Sequence, residues 1–310
     1  MVTYIDNSRP LFNCNAEEPY KINITLRNKS HNESKKTNKY IKKDDYFHNG
    51  KPIHRRSYCA FLDVLGFSAR TSASYTNGTE DILLAEFHQI LTESLSLLEE
   101  DTEESMLYFK SFTDNVVLAH PDFSSEMESE FGLILYPIRE YQFKMALKGF
   151  FIRGGLAVGQ LFMDKNSVYG AALLESYRLE SNVAVNPIVV LCDNTMKMVD
   201  EHLKYYAKGA APQLRDVLKG PDGRYFINYL MECIIDGEYE QHLDTNSLIL
   251  HKQQIEKALK DYASIPTVFS KFAWLASYHN YFCDMISAHP EYDNAMKIPS
   301  KLSKFQFQTI

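Results

Sequence analysis

The sequence predicts an α+β fold of ferredoxin-like plan, a mixed, mainly antiparallel sheet with flanking helices. Three observations lead there. Apolar runs of strand length lie at 57–63, 150–162 and 187–191, separated by stretches whose apolar residues recur every three or four positions. Met106 to Pro121, MLYFKSFTDNVVLAHP, holds two strand-like runs around a Thr-Asp-Asn turn, which reads as a hairpin. The hairpin breaks the alternation, so the order becomes β-α-β-β-α-β-α-β-α. That order excludes a doubly wound parallel sheet.

The elements follow in turn. Tyr58 to Arg70 reads YCAFLDVLGFSAR and opens as a buried strand. After NGTE comes a helix with Leu83, Leu84, Phe87, Ile90, Leu91, Leu95 and Leu98 on one face, and Thr79 is placed to cap it. Past the hairpin, a second helix over about 126–148 carries Phe131, Leu135, Ile138 and Met145. FFIRGGLAVGQLF, Phe150 to Phe162, is a strand with a glycine pair, a sign of close approach by a ligand or another backbone. Tyr169 to Ser181 reads as a helix, Pro187 to Leu191 as a buried strand, and a helix starts from Cys192.

Three regions are expected. Residues 1–56 form a polar N-terminal extension, with a Lys- and Asn-rich arm, NKSHNESKKTNKYIKK, at 28–43. Residues 57–206 form the catalytic domain. Residues 207–310 form a mainly helical extension packed on the core, with helices near 226–236, 247–262 and 267–287 after a turn-rich KGPDGRY loop.

Composition narrows the function. The chain has 310 residues, 45% of them hydrophobic, enough for a sizeable core. With 33 Lys and Arg against 40 Asp and Glu, the net charge is −7; this speaks against a duplex nucleic-acid binder, which needs a basic face. The five cysteines are scattered and make no CxxC pair. They are expected as free buried thiols rather than a zinc knuckle or disulfide framework. His279 and Cys283 are four apart on an expected helix, and packing is favoured over a metal there. No run approaches the ~20 apolar residues of a membrane span. The N-terminus lacks a signal pattern, so the sequons at Asn23, Asn28 and Asn32 are read as chance and a cytoplasmic location is expected.

The chemistry centres on two aspartates. Asp63 ends an apolar strand, where an unpaired carboxylate costs several kcal/mol. Asp114 stands at the tip of the expected hairpin. In a β-α-β-β-α-β sheet the first strand and the hairpin are neighbours, so the two carboxylates converge. With the backbone carbonyl of Val64 they suit one or two Mg²⁺ or Mn²⁺ ions, which take oxygen ligands and leave positions for phosphates. Gly66 gives backbone room, and the amides of Leu65 to Ser68 favour phosphate oxygens.

These segments resemble the class III nucleotidyl cyclases. FLDVLGF resembles their FxDxxGF segment, and YFKSFTDNVV their hairpin with lysine four residues before aspartate. RGGLAVG and ALLESYRLES follow in the same order as the family's glycine-rich strand and its helix ending in ARLE. The match covers about 57–192. Within the group, the TDNVV hairpin, the YG-x-AL-x-x-SY-x-LE helix, the NPIVVL strand and the long C-terminal extension resemble the bacterial Pycsar pyrimidine cyclases of antiphage defence. The resemblance implies cyclisation of UTP, or next CTP, to the 3′,5′-cyclic monophosphate, with two divalent cations, Mn²⁺ or Mg²⁺, held by Asp63 and Asp114. It implies a homodimer with active sites at the interface, and a separate effector that binds the cyclic nucleotide. By position, Arg178 matches the family's phosphate-stabilising arginine, but Leu174 stands where asparagine is usual. Lys110 matches the base-reading lysine, open here between base, phosphate and solvent. Arg153 is open between a structural and a phosphate-binding role, and Phe67 between packing and lining the triphosphate path. A purine cyclase making cyclic AMP or GMP, and an inactive nucleotide-binding form, are the alternatives. The absence of a GGDEF or GGEEF hairpin speaks against a diguanylate cyclase, a related ferredoxin-like alternative.

Overall fold

The computed structural model describes residues 45–104, 106–237, 240–299 and 305–310. The basic arm, Cys14 and the three sequons lie outside them. A two-residue hairpin, β1 (Phe47–His48) and β2 (Lys51–Pro52), leads into β3 (Arg55–Val64), which is longer at both ends than the expected strand. Helix α1 (Phe67–Asn77) follows, then α2 (Glu80–Glu104). The hairpin forms as β4 (Tyr108–Phe112) and β5 (Asn115–Pro121), followed by α3 (Glu128–Leu147) and β6 (Ile152–Met163). Next come β7 (Val168–Gly170), α4 (Ala171–Asn182), β8 (Val189–Leu191) and α5 (Asp193–His202).

Strands β3 to β8 join three later strands in one nine-stranded sheet ordered β13-β9-β10-β8-β6-β3-β5-β4, with β7 pairing β6 off this path, while β1 and β2 pair apart from it. Its three remaining strands, β9 (Val217–Lys219), β10 (Tyr225–Ile227) and β13 (Gln308–Thr309), come from the C-terminal region, as does the short helix α6 (Gln213–Asp216). All pairs are antiparallel except β6 with β8, joined by the crossover helix α4. The α+β, mainly antiparallel architecture is the one the sequence predicts.

Period-two alternation divides β3 between two layers. Tyr58, Ala60, Leu62 and Val64 pack with Phe131, Ile134 and Ile138 of α3. Cys59 and Phe61 face the other way, with Val117, Ala119 and Ala172. Asp63 belongs by alternation to this second face, the one α4 partly covers.

Three local expectations fail. No helix forms at 226–236. Phe226 and Ile227 instead point to opposite sides of β10, into different core clusters, and a 3-10 turn at Tyr229–Cys233 leads to β11 (Ile234–Asp236), which pairs with β12 (Gln241–Leu243). Pairing with β8 and β9 overrides the apolar spacing there. Helix α1 was not expected, because SARTSASYT has little apolar periodicity; it is bounded by left-handed Gly66 and Gly78 and buries only Ser74. Thr79 sits just before α2, but its hydroxyl turns back to the Ser74 carbonyl at 3.5 Å rather than capping the helix.

Helices α7 (Thr245–Asp261) and α8 (Pro266–Met285) form close to where they were expected. They pack with Phe143, Ala146 and Phe151 in a third core. Arg139 of α3 ties the C-terminal region down further, meeting Asp216 at 2.7 Å and Glu232 at 2.9 Å. Cys59, Cys192, Cys233 and Cys283 are free and buried. No described helix is long and apolar enough to cross a membrane.

His279 and Cys283 belong to a buried hydrogen-bond chain, and no metal-ligand cluster forms among the described residues. His279 Nε2 faces the Met296 carbonyl at 2.9 Å and therefore carries the proton. Its Nδ1 then accepts from His251 Nδ1 at 2.9 Å, and His251 Nε2 accepts from the Tyr229 hydroxyl at 2.8 Å. Burial pushes His279 down to about 4 against the pull of the Met296 carbonyl; His251 is driven down by burial and then by His279. Both bases have folded values below their unfolded ones, so their contribution is complete above about 6.5 and is lost as pH falls toward 4. At pH 5.5 His279 is expected to have cost about 1.4 kcal/mol of stability relative to pH 7.5, with His251 acting in the same direction. Urea unfolding across that range measures it, and a His251→Phe variant should show a shallower loss.

Candidate active site

The site is built from the ends of β3 and the β4–β5 hairpin. Leu62 pairs Val116 across β3 and β5, and Phe112 pairs Asn115 across the hairpin. Thr113 and Asp114 are thus the two turn residues, with Asp114 level with Val64 at the end of β3. Thr113 takes the left-handed conformation at φ 54, and its hydroxyl accepts from the Asn115 amide at 3.1 Å, holding the turn. Carried on by two pairs, the register sets Asp114 one position from Asp63 along the adjoining strands.

The electrostatics agree with the register. The Asp63 carboxyl is pushed up to about 7. Burial is the main cause; the Arg153 hydrogen bond and charge oppose it, while Asp114 and then Glu180 add to it. Beneath the sheet, Tyr141 is 1% exposed and its hydroxyl has no hydrogen-bond partner among the described residues. Burial, then Asp114 and Asp63, raise its pKa. Two close carboxylates over an unsatisfied buried hydroxyl form a site short of positive charge.

Arg153 lies directly across from Asp63 in the β3–β6 register. Its Nε meets Asp63 Oδ2 at 3.1 Å, and its Nη2 meets Glu180 Oε1 of α4 at 2.7 Å. Its guanidinium is therefore occupied by two protein carboxylates. Val64, the last residue of β3, pairs Ile152. Gly66 follows with φ 74 and α1 begins at Phe67. The Phe67 ring packs on Phe87 at 4.3 Å, in the core between α1 and α2. Lys110 is in register with Val117 and Phe61 on the Asp63 face of the sheet; after the Ser167 and Asn166 amides, its charge helps hold the Asp164 carboxyl low.

Arg178 is not part of this cluster. Ser176, Tyr177 and Glu180 turn α4 toward β3 and β6: Ser176 Oγ lies 3.8 Å from Cys59 Sγ, the Tyr177 ring 5.3 Å from Phe61, and Glu180 on Arg153. Arg178, two residues from both Ser176 and Glu180, points to the opposite flank at about 100° per residue. There it holds Glu175 with two bonds of 2.7 and 2.8 Å. Both line a cleft of about 670 Å³ with Asp193, Asn194 and Arg224.

Asp63 and Asp114 thus lie to one flank of α4 and Arg178 to the other. Two carboxylates suit Mg²⁺ or Mn²⁺, which complete their shells with water and phosphate oxygens. Glu180 was missed as a member of the Asp63–Arg153 network. Its signal was a carboxylate on the same α4 flank as Ser176, four residues on.

No family model and no curated protein matches the chain. Among solved structures it is similar to the catalytic core of a rhodopsin-guanylyl cyclase with converted specificity in complex with ATPαS, at TM-score 0.38 and 15% identity over 56% of this chain and 96% of that one. It is also similar to the guanylyl cyclase Cya2, at 0.38 and 13% over 61% and 98%, and to a bacterial light-regulated adenylyl cyclase, at 0.37 and 15% over 66% and 99%.

Proposed function

We propose that the chain is a nucleotidyl cyclase of class III type that converts a pyrimidine nucleoside triphosphate, UTP ahead of CTP, to its 3′,5′-cyclic monophosphate. The observation that carries this is the pairing of Asp63 and Asp114 at one end of an antiparallel sheet, with Asp63 raised to about 7 by burial and by its neighbour. The sequence resemblance of the same segments supplies the reaction class. The ribose 3′-oxygen bonds to the α-phosphorus, the bond to the bridging oxygen breaks, pyrophosphate leaves, and the hydroxyl proton passes to solvent. Two divalent cations, when bound, lower the hydroxyl pKa and neutralise phosphate charge. Asp63, Asp114 and the Val64 carbonyl would hold them. Arg153 fixes the Asp63 carboxylate through its own grip on Glu180, a positioning role. Arg178 meets phosphate charge as it develops, and Lys110 faces the base.

Asp63 and Arg178 lie on opposite flanks of α4, which supports a head-to-tail homodimer in which each site takes its acidic half from one subunit and its arginine half from the other. As a Pycsar enzyme, the chain signals phage infection from the cytoplasm to a separate effector that binds the cyclic product. Incubation with ATP, GTP, CTP and UTP separately, with Mn²⁺, and mass analysis of the products tests the reading. Cyclic UMP or cyclic CMP is expected. Cyclic AMP or GMP alone overturns the pyrimidine assignment and gives Lys110 a purine-reading role. Absence of product from all four favours an inactive nucleotide-binding form.

A further inference from the structure

The cleft lined by Arg178 has a wall from the C-terminal region. The β9–β10 turn brings Arg224 to it, with Gly223 and Tyr225. The turn is fixed by its own hydrogen bonds. The Gly220 amide donates to the Arg224 carbonyl at 2.8 Å, the Gly223 amide to the Gly220 carbonyl at 3.0 Å, and the Arg224 amide to Asp222 Oδ1 at 3.2 Å. Gly223 takes φ 81, a left-handed value that glycine adopts freely.

The guanidinium is anchored as well. Arg224 Nη1 donates to the carbonyl of Val183, the C-cap of α4, at 2.8 Å, and lies 3.6 Å from Asp222 Oδ2. Both contacts use Nη1, so among the described residues the Nε–Nη2 edge has no protein partner. Val183 lies five residues beyond Arg178, about 7.5 Å along the helix axis. Two guanidinium groups thus line one cleft, over an apolar floor that includes Leu179 and Val190. Two carboxylates line it too. Glu175 is held by Arg178 with two bonds, and Asp193 belongs to the first turn of α5. What remains open in this set is a planar, forked donor held in a fixed place. Such a fork fits two oxygens of one phosphate, and a chain of two or three phosphates spans the interval along α4.

We propose that this cleft is a polyphosphate site and that Arg224 is a substrate-binding residue, taking phosphate oxygens on its Nε–Nη2 edge alongside Arg178. The identity of the ligand as the phosphate chain of a nucleotide rests on the reading given above. The assignment makes the β9–β10 turn part of the arginine half of the site, so the C-terminal region contributes to binding as well as to the sheet.

Calorimetric titration of the full-length protein with inorganic tripolyphosphate, at low salt and with EDTA, tests the assignment. Without a divalent cation the Asp63–Asp114 pair repels the anion, and binding reports the cleft. Arg224→Ala is expected to weaken tripolyphosphate about tenfold or more, and Arg224→Lys, which keeps the charge but not the fork, to fall between it and the wild type. Lys208→Ala, an exposed lysine outside the lining, should bind as the wild type does. Melting temperatures should be close in all four, since these side chains are exposed. Unchanged affinity in Arg224→Ala overturns the inference, as does equal weakening in Lys208→Ala or a wild type that binds no tripolyphosphate; full affinity in Arg224→Lys overturns the forked contact. The nucleotide reading fails separately. If binding depends on Arg224 but the wild type cyclises no triphosphate, the cleft remains a polyphosphate site of a different activity. If the wild type makes a cyclic product and KM is unchanged in Arg224→Ala, the cyclase stands and the role of Arg224 falls.

Discussion

Asp114→Asn is expected to lower cyclic-nucleotide formation by about a thousandfold while leaving the fold intact. The substitution keeps the size of the side chain and suits a two-residue turn at least as well as aspartate does. It also removes a negative charge that raises the pKa of Asp63, so the folded state loses a repulsion rather than a support. A circular-dichroism melt at or above the wild-type temperature, together with lost product, separates chemistry from stability. Mn²⁺ affinity, measured without nucleotide, should fall in parallel. Product persisting near the wild-type rate would remove Asp114 from the metal site.

The largest structural effect is expected at Gly155. A Cβ there would lie 2.4 Å from the Leu179 Cβ and 2.5 Å from the Ser176 carbonyl oxygen. Both belong to α4, and the oxygen is backbone, so no rotamer change relieves the clash. Gly155→Ala must therefore push α4 off β6 and carry Glu180 away from Arg153. A loss of about 3 kcal/mol or more is expected, since overpacking against backbone exceeds the usual cost of an added methyl. For a chain of this size that is a drop of about 6–12 °C in melting temperature. Gly132 of α3 is the control: it is exposed, a Cβ there meets nothing within 4 Å, and Gly132→Ala is expected to add about 1 kcal/mol. Equal melting temperatures for the two variants would contradict the packing of α4 on the glycine strand.

The same glycine shows what the sequence makes legible. RGGLAVG marks a close approach, and the approaching groups are backbones: the Phe61 carbonyl oxygen 2.5 Å from a Cβ at Gly154, and α4 over Gly155. The Asp63–Asp114 pairing was readable because strand, two-residue turn and strand fix their own register over a few positions. Arg178 was harder. Its flank depends on which residues of α4 turn inward, and that is decided by Ser176, Tyr177 and Glu180 meeting β3 and β6. The three-residue strands β9 and β10 are too short to carry a period of two, and they pair only because β8 presents an edge.

On the proposed reading, the acidic and arginine half-sites on either flank of α4 complete one another between two copies of the chain. Mixing Asp114→Asn with Arg178→Ala, each inactive alone, tests it most directly. Half the dimers in an equal mixture pair unlike subunits, and each of those regains one intact site of two. Cyclic product should therefore return to about a quarter of the wild-type specific activity. Mixed dimers that form, by native mass, yet make no product would contradict a site shared between subunits.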